Sequence, residues 1–185
     1  MTQRIFYTGP SLERLHQEYG KQARIDTNAP ITTSSEIIIH APVDVVWQQL
    51  VDLANWPNIS PAFRDVRLDS TVAVDETFRF TLYNFPIRAT IAVVEPGRKL
   101  VWTGVSLWFK AVDMHELEST ADGNTRYTVS ESFAGLLATL FTSSEQLRKQ
   151  HTKHGSRLSS ALLKSVLAKA KFTTKQELVV SPIHH

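Results

Sequence analysis

Polar and apolar positions change period along the chain, and each change marks an element. Between Pro10 and Gly20, Leu12, Leu15, His16 and Tyr19 recur at helical spacing. Proline suits a first turn and glycine an exit, so a short amphipathic helix is predicted there. The run Asn28-Ala-Pro-Ile-Thr-Thr-Ser-Ser35 reads as a linker. Glu36-Ile-Ile-Ile-His40 is rich in β-branched residues and predicts a strand. Pro42 then opens a helix with Asp44 in its first turn and Val45, Val46, Trp47, Leu50 and Val51 on its apolar side. Pro57 and Pro61 leave room after it for one short second helix with loops.

From Phe63 the period becomes two. Six strands are predicted, at 64–70, 76–84, 87–95, 99–106, 110–119 and 125–134. Asn84-Phe85-Pro86, Glu95-Pro96-Gly97 and Asp122-Gly123-Asn124 supply turns, so neighbouring strands run antiparallel. Period 3.6 returns with a capping-box pair, Thr142 and Glu145, followed by Leu147, His151, His154, Leu158, Ala161, Leu162 and Ser165 on one face. A helix over 142–171 would be roughly 40 Å long. The order is strand, two short helices, six strands, long helix: an α+β domain over 35–171, preceded by an extension at 1–34 and followed by a tail at 172–185. A curved antiparallel sheet with one apolar face needs a cover, and the long helix is large enough to supply it. A straight helix across a curved sheet leaves a gap, which is a natural small-molecule cavity.

Composition narrows the chemistry. The 185 residues are 42% apolar and 21% charged, ordinary for a soluble globular protein. The absence of cysteine excludes disulfides, thiol nucleophiles and thiolate metal sites. No run approaches a membrane span. The first residues lack the basic-then-apolar pattern of a signal peptide, so a cytoplasmic location is expected. Residues 36–131 carry 8 Lys/Arg against 13 Asp/Glu, and residues 145–185 carry 8 against 2. Lys149, Lys153 and Arg157 thus give the long helix a basic face, read as a solvated face or a surface for an acidic partner or anionic lipid. No aromatic residues interleave with these charges, so no nucleic-acid partner is expected.

Specific residues then carry a resemblance. Ile-Ile-Ile-His-Ala-Pro-Val-Asp-Val-Val-Trp at 37–47 is followed by Asp52 and Trp56-Pro57. Further on come Val94-Glu-Pro-Gly-Arg-Lys-Leu-Val-Trp102, His115-Glu-Leu-Glu, Gly123-Asn-Thr-Arg126 and Glu131-Ser-Phe-Ala-Gly-Leu-Leu137. Over about 35–170 the chain resembles the START-like (SRPBCC) superfamily, closest to its polyketide cyclase/dehydrase-like branch. The resemblance implies the helix-grip fold, a curved antiparallel sheet wrapped around a long C-terminal helix with two short helices after the first strand. It also implies a hydrophobic ligand cavity. It does not cover 1–34 or 172–185.

Strand periodicity suggests which residues reach that cavity. Asp113, His115 and Leu117 point one way, as do Tyr127, Val129, Glu131 and Phe133. A three-residue hairpin loop sets His115 beside Glu131, whereas a two-residue loop turns each to the other's opposite face. His151 and His154 approach from the helix as candidate ligand contacts, completing a polar cluster with His115 and Glu131. His115 and Glu131 are therefore the candidate acid–base pair, with a structural or ligand-orienting hydrogen bond as the plainer role. Trp102, Phe80 and Leu158 are candidate ligand contacts or core. Arg88 is a ligand contact if the turn at 84–86 points it inward, and a surface residue otherwise. The i, i+3 histidines with Thr152 and Lys153 between them make a poor metal motif, so no metal is assigned. With no Gly-rich phosphate loop or nucleophile elbow, no cofactor is expected.

The main expectation is a binder of a small hydrophobic or aromatic molecule between sheet and long helix. The alternatives are a cyclase/dehydratase-type enzyme using His115 and Glu131, and a partner- or membrane-binding module using the basic helix face. Leu163 and Leu167 lie opposite the inward stripe, where residues 1–34 or a second copy of the chain could cover them.

Overall fold

The fold is that of a computed structural model, which describes residues 7–107 and 109–135. Seven strands form one antiparallel curved sheet: β1 (Ile31–Ile39), β2 (Phe63–Leu68), β3 (Thr77–Leu82), β4 (Phe85–Glu95), β5 (Lys99–Ser106), β6 (Phe109–Ser119) and β7 (Thr125–Gly135). Their spatial order is β1-β7-β6-β5-β4-β3-β2. Strands β2 to β7 are a plain meander, and β1 closes onto β7 from the far end of the sequence. The helix predicted over 142–171 and the tail at 172–185 lie outside the described residues.

β1 begins earlier than residue composition suggests. Ile31 to Ser35, read as linker, pair with β7 from Phe133 to Val129. The ladder of β7 extends past the apolar run, and Thr and Ser accept a strand where a partner backbone is waiting. After β1, Thr125 Oγ1 donates to the Ala41 carbonyl at 2.7 Å and fixes the exit. Helix α1 (Val43–Val51), a 3-10 turn (Leu53–Asn55) and the short helix α2 (Trp56–Ile59) follow.

The inner face of the sheet holds the main core. Ile37 and Ile39 of β1, Phe78 and Phe80 of β3, Ala89 and Ile91 of β4, Leu100 and Trp102 of β5 pack with Val46, Trp47 and Leu50 of α1. Trp56 is fully buried at its centre. Its ring lies 5.0 Å from Phe63, 6.1 Å from Phe78, 5.9 Å from Phe80 and 5.8 Å from Trp102, tilted or edge-on to each. Those are favourable aromatic geometries.

The outer face carries the N-terminal segment. Ser11 caps a short α-helical turn (Leu12–Arg14), which passes into a π turn (Leu15–Tyr19) and a 3-10 turn (Gly20–Gln22). Leu15 packs with Ala92, Val101 and Val112 in a second, smaller core. His16 is buried, its Nδ1 2.8 Å from Thr103 Oγ1 and its Nε2 3.0 Å from Asp75 Oδ1. Gly20 allows the closest approach: a Cβ there would stand 2.9 Å from Thr103 Cγ2 and 3.0 Å from Ala92 Cβ. Asp26, fully buried, accepts from the Tyr7 hydroxyl at 2.7 Å, and its N–H donates to Ser132 Oγ at 3.1 Å.

Candidate functional site

Cross-strand register builds a polar row into the apolar inner face. Trp102 stands opposite Asp113, Asp113 opposite Glu131, and Glu131 opposite Thr33. The row thus crosses β5, β6, β7 and β1. One step along, Leu100, His115 and Val129 form the next row, and Leu117 and Tyr127 the one after. Because β6 and β7 are joined by 120–124, the pairing runs two residues out of the register of a three-residue loop. Thr120 N–H donates to the Asn124 carbonyl at 2.9 Å and closes that longer turn. The inward face is kept, since both loop lengths are odd.

His115 and Glu131 therefore share the inner face without being direct partners. The neighbour of Glu131 is Asp113, and His115 lies opposite Val129. His115 is 3% exposed and sandwiched between aromatic rings, 4.3 Å from Trp102 and 5.8 Å from Tyr127. Its Nδ1 shares a 2.5 Å hydrogen bond with the Tyr127 hydroxyl. Among the described residues its Nε2 finds no hydrogen-bond partner, with Asp113 Oδ1 at 3.9 Å. Burial lowers the imidazole pKa to about 3, so the ring is neutral at physiological pH. The same burial raises the Tyr127 phenol well above its ordinary range, and the charges of Asp113 and Glu131 add to that.

The protonatable centre is the carboxyl pair. Burial pushes Asp113 up to about 6, while hydrogen bonds with Glu131 and from the Trp102 indole N–H offset part of the rise. Two carboxyl groups hydrogen-bond only when one holds a proton, so this contact forms as pH falls below about 6. Glu131 is 3% exposed and accepts a 2.9 Å bond from Thr33 Oγ1. Asp113 keeps 19% of its side chain exposed and is the open end of the pair. Asp113 is a candidate group that the sequence alone leaves without a role. Its position two residues before His115, on the same strand face, was the available signal.

The other sequence candidates divide. Trp102 and Phe80 are buried in the aromatic core, Phe80 stacked on Phe78 at 5.5 Å. Arg88 does not turn inward: it pairs with Arg79 on the outer face and is exposed. The intervening turn, Tyr83-Asn84, puts both residues at positive φ and keeps Phe80 opposite Ile87 on the inner face, which sends the arginines out. His151, His154, Leu158 and the basic residues Lys149, Lys153 and Arg157 lie outside the described residues. Among the described residues, no group of three or more His, Asp or Glu is placed to hold a metal ion. No described helix is long and apolar enough to cross a membrane.

Comparison with known structures places this architecture in the helix-grip class. The hypothetical protein jhp0584 of Helicobacter pylori superposes with a TM-score of 0.66 at 18% identity, covering 92% of this chain and 99% of its own. The Zhui aromatase/cyclase of Streptomyces sp. R1128 superposes at 0.62 and 16% identity, covering 76% and 93%. At these identities the likeness concerns the fold. The chain belongs to the family described as polyketide cyclase / dehydrase and lipid transport, whose model matches residues 30–151. A Streptomyces cyaneus protein carrying a provisional polyketide-cyclase name is 39% identical over 51 residues, which span 28% of this chain and 34% of that relative. The chain thus matches about a third of that relative's length.

Proposed function

We propose that the protein binds a small, largely apolar and flat molecule against the inner sheet face, between the sheet and the helix predicted over 142–171. The observation that carries this reading is His115 Nε2, a buried polar atom without a partner among the described residues, beside the partly exposed Asp113 carboxyl. Buried polar atoms are normally satisfied, so an orphan at an apolar surface marks a place for a ligand's polar group. Trp102 backs the His115 ring, and Asp113 can donate or accept according to its protonation. The family match and the helix-grip fold support the same use of this face.

The test is native mass spectrometry of protein purified without denaturation, followed by titration of polycyclic aromatic ligands with tryptophan fluorescence as the readout. Saturable binding is expected, weakened by His115→Phe, which keeps a buried ring and removes both nitrogens. An empty protein that binds none of the ligands, or binds them equally well as His115→Phe, defeats the reading.

A second reading follows from the raised carboxyl. With Asp113 near pH 6 and hydrogen-bonded to Glu131, the pair can serve as acid and base in dehydration of a β-hydroxy carbonyl compound. One carboxylate takes the proton α to the carbonyl while the other carboxyl gives its proton to the departing hydroxyl. A C=C bond forms and water leaves. A neutral His115 would position rather than protonate. This changes the acid–base pair expected from sequence from His115 and Glu131 to Asp113 and Glu131. Asp113→Asn and Glu131→Gln would each abolish such turnover in a protein that still binds ligand; full activity in both excludes it.

A further inference from the structure

The outer face of the sheet has two halves. Over β4 to β7 the N-terminal segment covers it. Over β2 to β4 none of the described residues covers it, and there the register sets Arg67 opposite Arg79 and Arg79 opposite Arg88. All three are exposed. Neighbouring strands lie about 4.8 Å apart, so three guanidinium side chains stand in file across roughly 10 Å. Like charges at directly opposed positions weaken a sheet. Among the described residues none of the three makes an ion pair or a side-chain hydrogen bond.

The same row continues through Val105 to Lys110, and the contrast is informative. The Lys110 ammonium is taken up by the carbonyls of Gly9 and Pro10. The cation at the covered end is therefore satisfied by the chain itself, and the three at the bare end are not. The carboxylate beside them, Asp65, sits on the β2 bulge at φ 53 and accepts from Thr81 Oγ1 at 3.3 Å. The arginines line a groove of about 370 Å³ together with Asp65 and the apolar residues Pro86, Val105 and Leu107.

We infer that this groove is a binding site for a phosphate-bearing molecule, with Arg79 central, Arg67 and Arg88 flanking, and the apolar residues taking the organic part. One guanidinium fork saturates a carboxylate, whereas a phosphate offers three terminal oxygens and can accept from several forks at once. The site faces away from the Trp102–Asp113–Glu131 row, so it stands or falls independently of the ligand proposed for the inner face.

The test uses the full chain at low ionic strength. Pyrophosphate serves as the soluble probe, and phosphatidylcholine vesicles doped with phosphatidic acid serve as the headgroup probe. Calorimetry is expected to give saturable one-to-one pyrophosphate binding, weakened about tenfold by Arg79→Gln. Arg79→Lys, which keeps the charge and loses the fork, should weaken it similarly. Arg126→Gln is the charge control, because Arg126 is paired with Glu36 and Glu118 elsewhere. Vesicle binding displaced by pyrophosphate assigns the phosphate to a lipid headgroup; pyrophosphate binding without vesicle binding assigns it to a soluble molecule. Failure of both probes, or an equal loss in Arg126→Gln, overturns the site.

Discussion

Asp113 and His115 sit two positions apart and respond to burial in opposite directions, so their pH signatures oppose each other. The Asp113 carboxyl titrates at about 6 in the folded protein against 3.8 ordinarily. The folded chain therefore holds more protons than the unfolded chain through that window, and stability falls as pH rises from about 4 to 6. At about 1.4 kcal/mol per unit, this slope is worth on the order of 3 kcal/mol at most. The His115 imidazole titrates at about 3 against 6.5, so its contribution rises as pH climbs between those values. The two slopes partly cancel in the wild type. Asp113→Asn removes only the falling one, so its urea midpoint should climb more steeply between pH 4 and 6 than the wild type's; parallel curves would contradict the assignment. Sequence could place His115 and Glu131 each on the apolar face of its own strand, and an odd loop length, as found, brings those faces together. It could not name their partners, because the five residues 120–124 admit more than one turn, and a shift of two residues exchanges Glu131's neighbour while leaving every side chain on its own face.

At the scale of elements, the meander was legible and the edges were not. Strict alternation from Phe63 onward reports a half-buried strand directly. Ile31 to Ser35 give no such signal, since their pairing is set by β7, a hundred residues away. In the N-terminal segment Leu12, Leu15, His16 and Tyr19 carry a helical spacing, and Leu15 and His16 are buried while the half-buried Tyr19 packs beside Leu15. What the periodicity could not convey is the segment's docking against β4 to β6, which depends on the missing side chain of Gly20. Gly20→Val should force the segment off Thr103 and Ala92. Limited proteolysis is expected to cut between residues 7 and 30 in that variant, with the inner-face tryptophan fluorescence unchanged. Protection equal to the wild type would mean the close approach has slack.

For the molecule as a whole, Trp56 joins the short helices to the sheet. It touches four aromatic rings, and its indole N–H donates to the Leu50 carbonyl at 3.2 Å. Trp56→Ala should cost roughly 3–5 kcal/mol in denaturant unfolding, the range for emptying a buried aromatic site; a loss below about 1 kcal/mol would show that the core collapses around the gap. The strand order carries a different consequence, one of timing. Every neighbour in β2 to β7 is also a neighbour in sequence, so each hairpin can form as the ribosome releases it. β1 cannot: Ile31 waits for Phe133, and Asp26 waits for Ser132. A nascent chain halted before residue 125 holds β1 without its partner strand and the N-terminal segment without the β7 contacts that anchor its far end. Among the described strands the first made is the last to be paired, and until then its apolar stretch Ile37-Ile38-Ile39 is open to a chaperone.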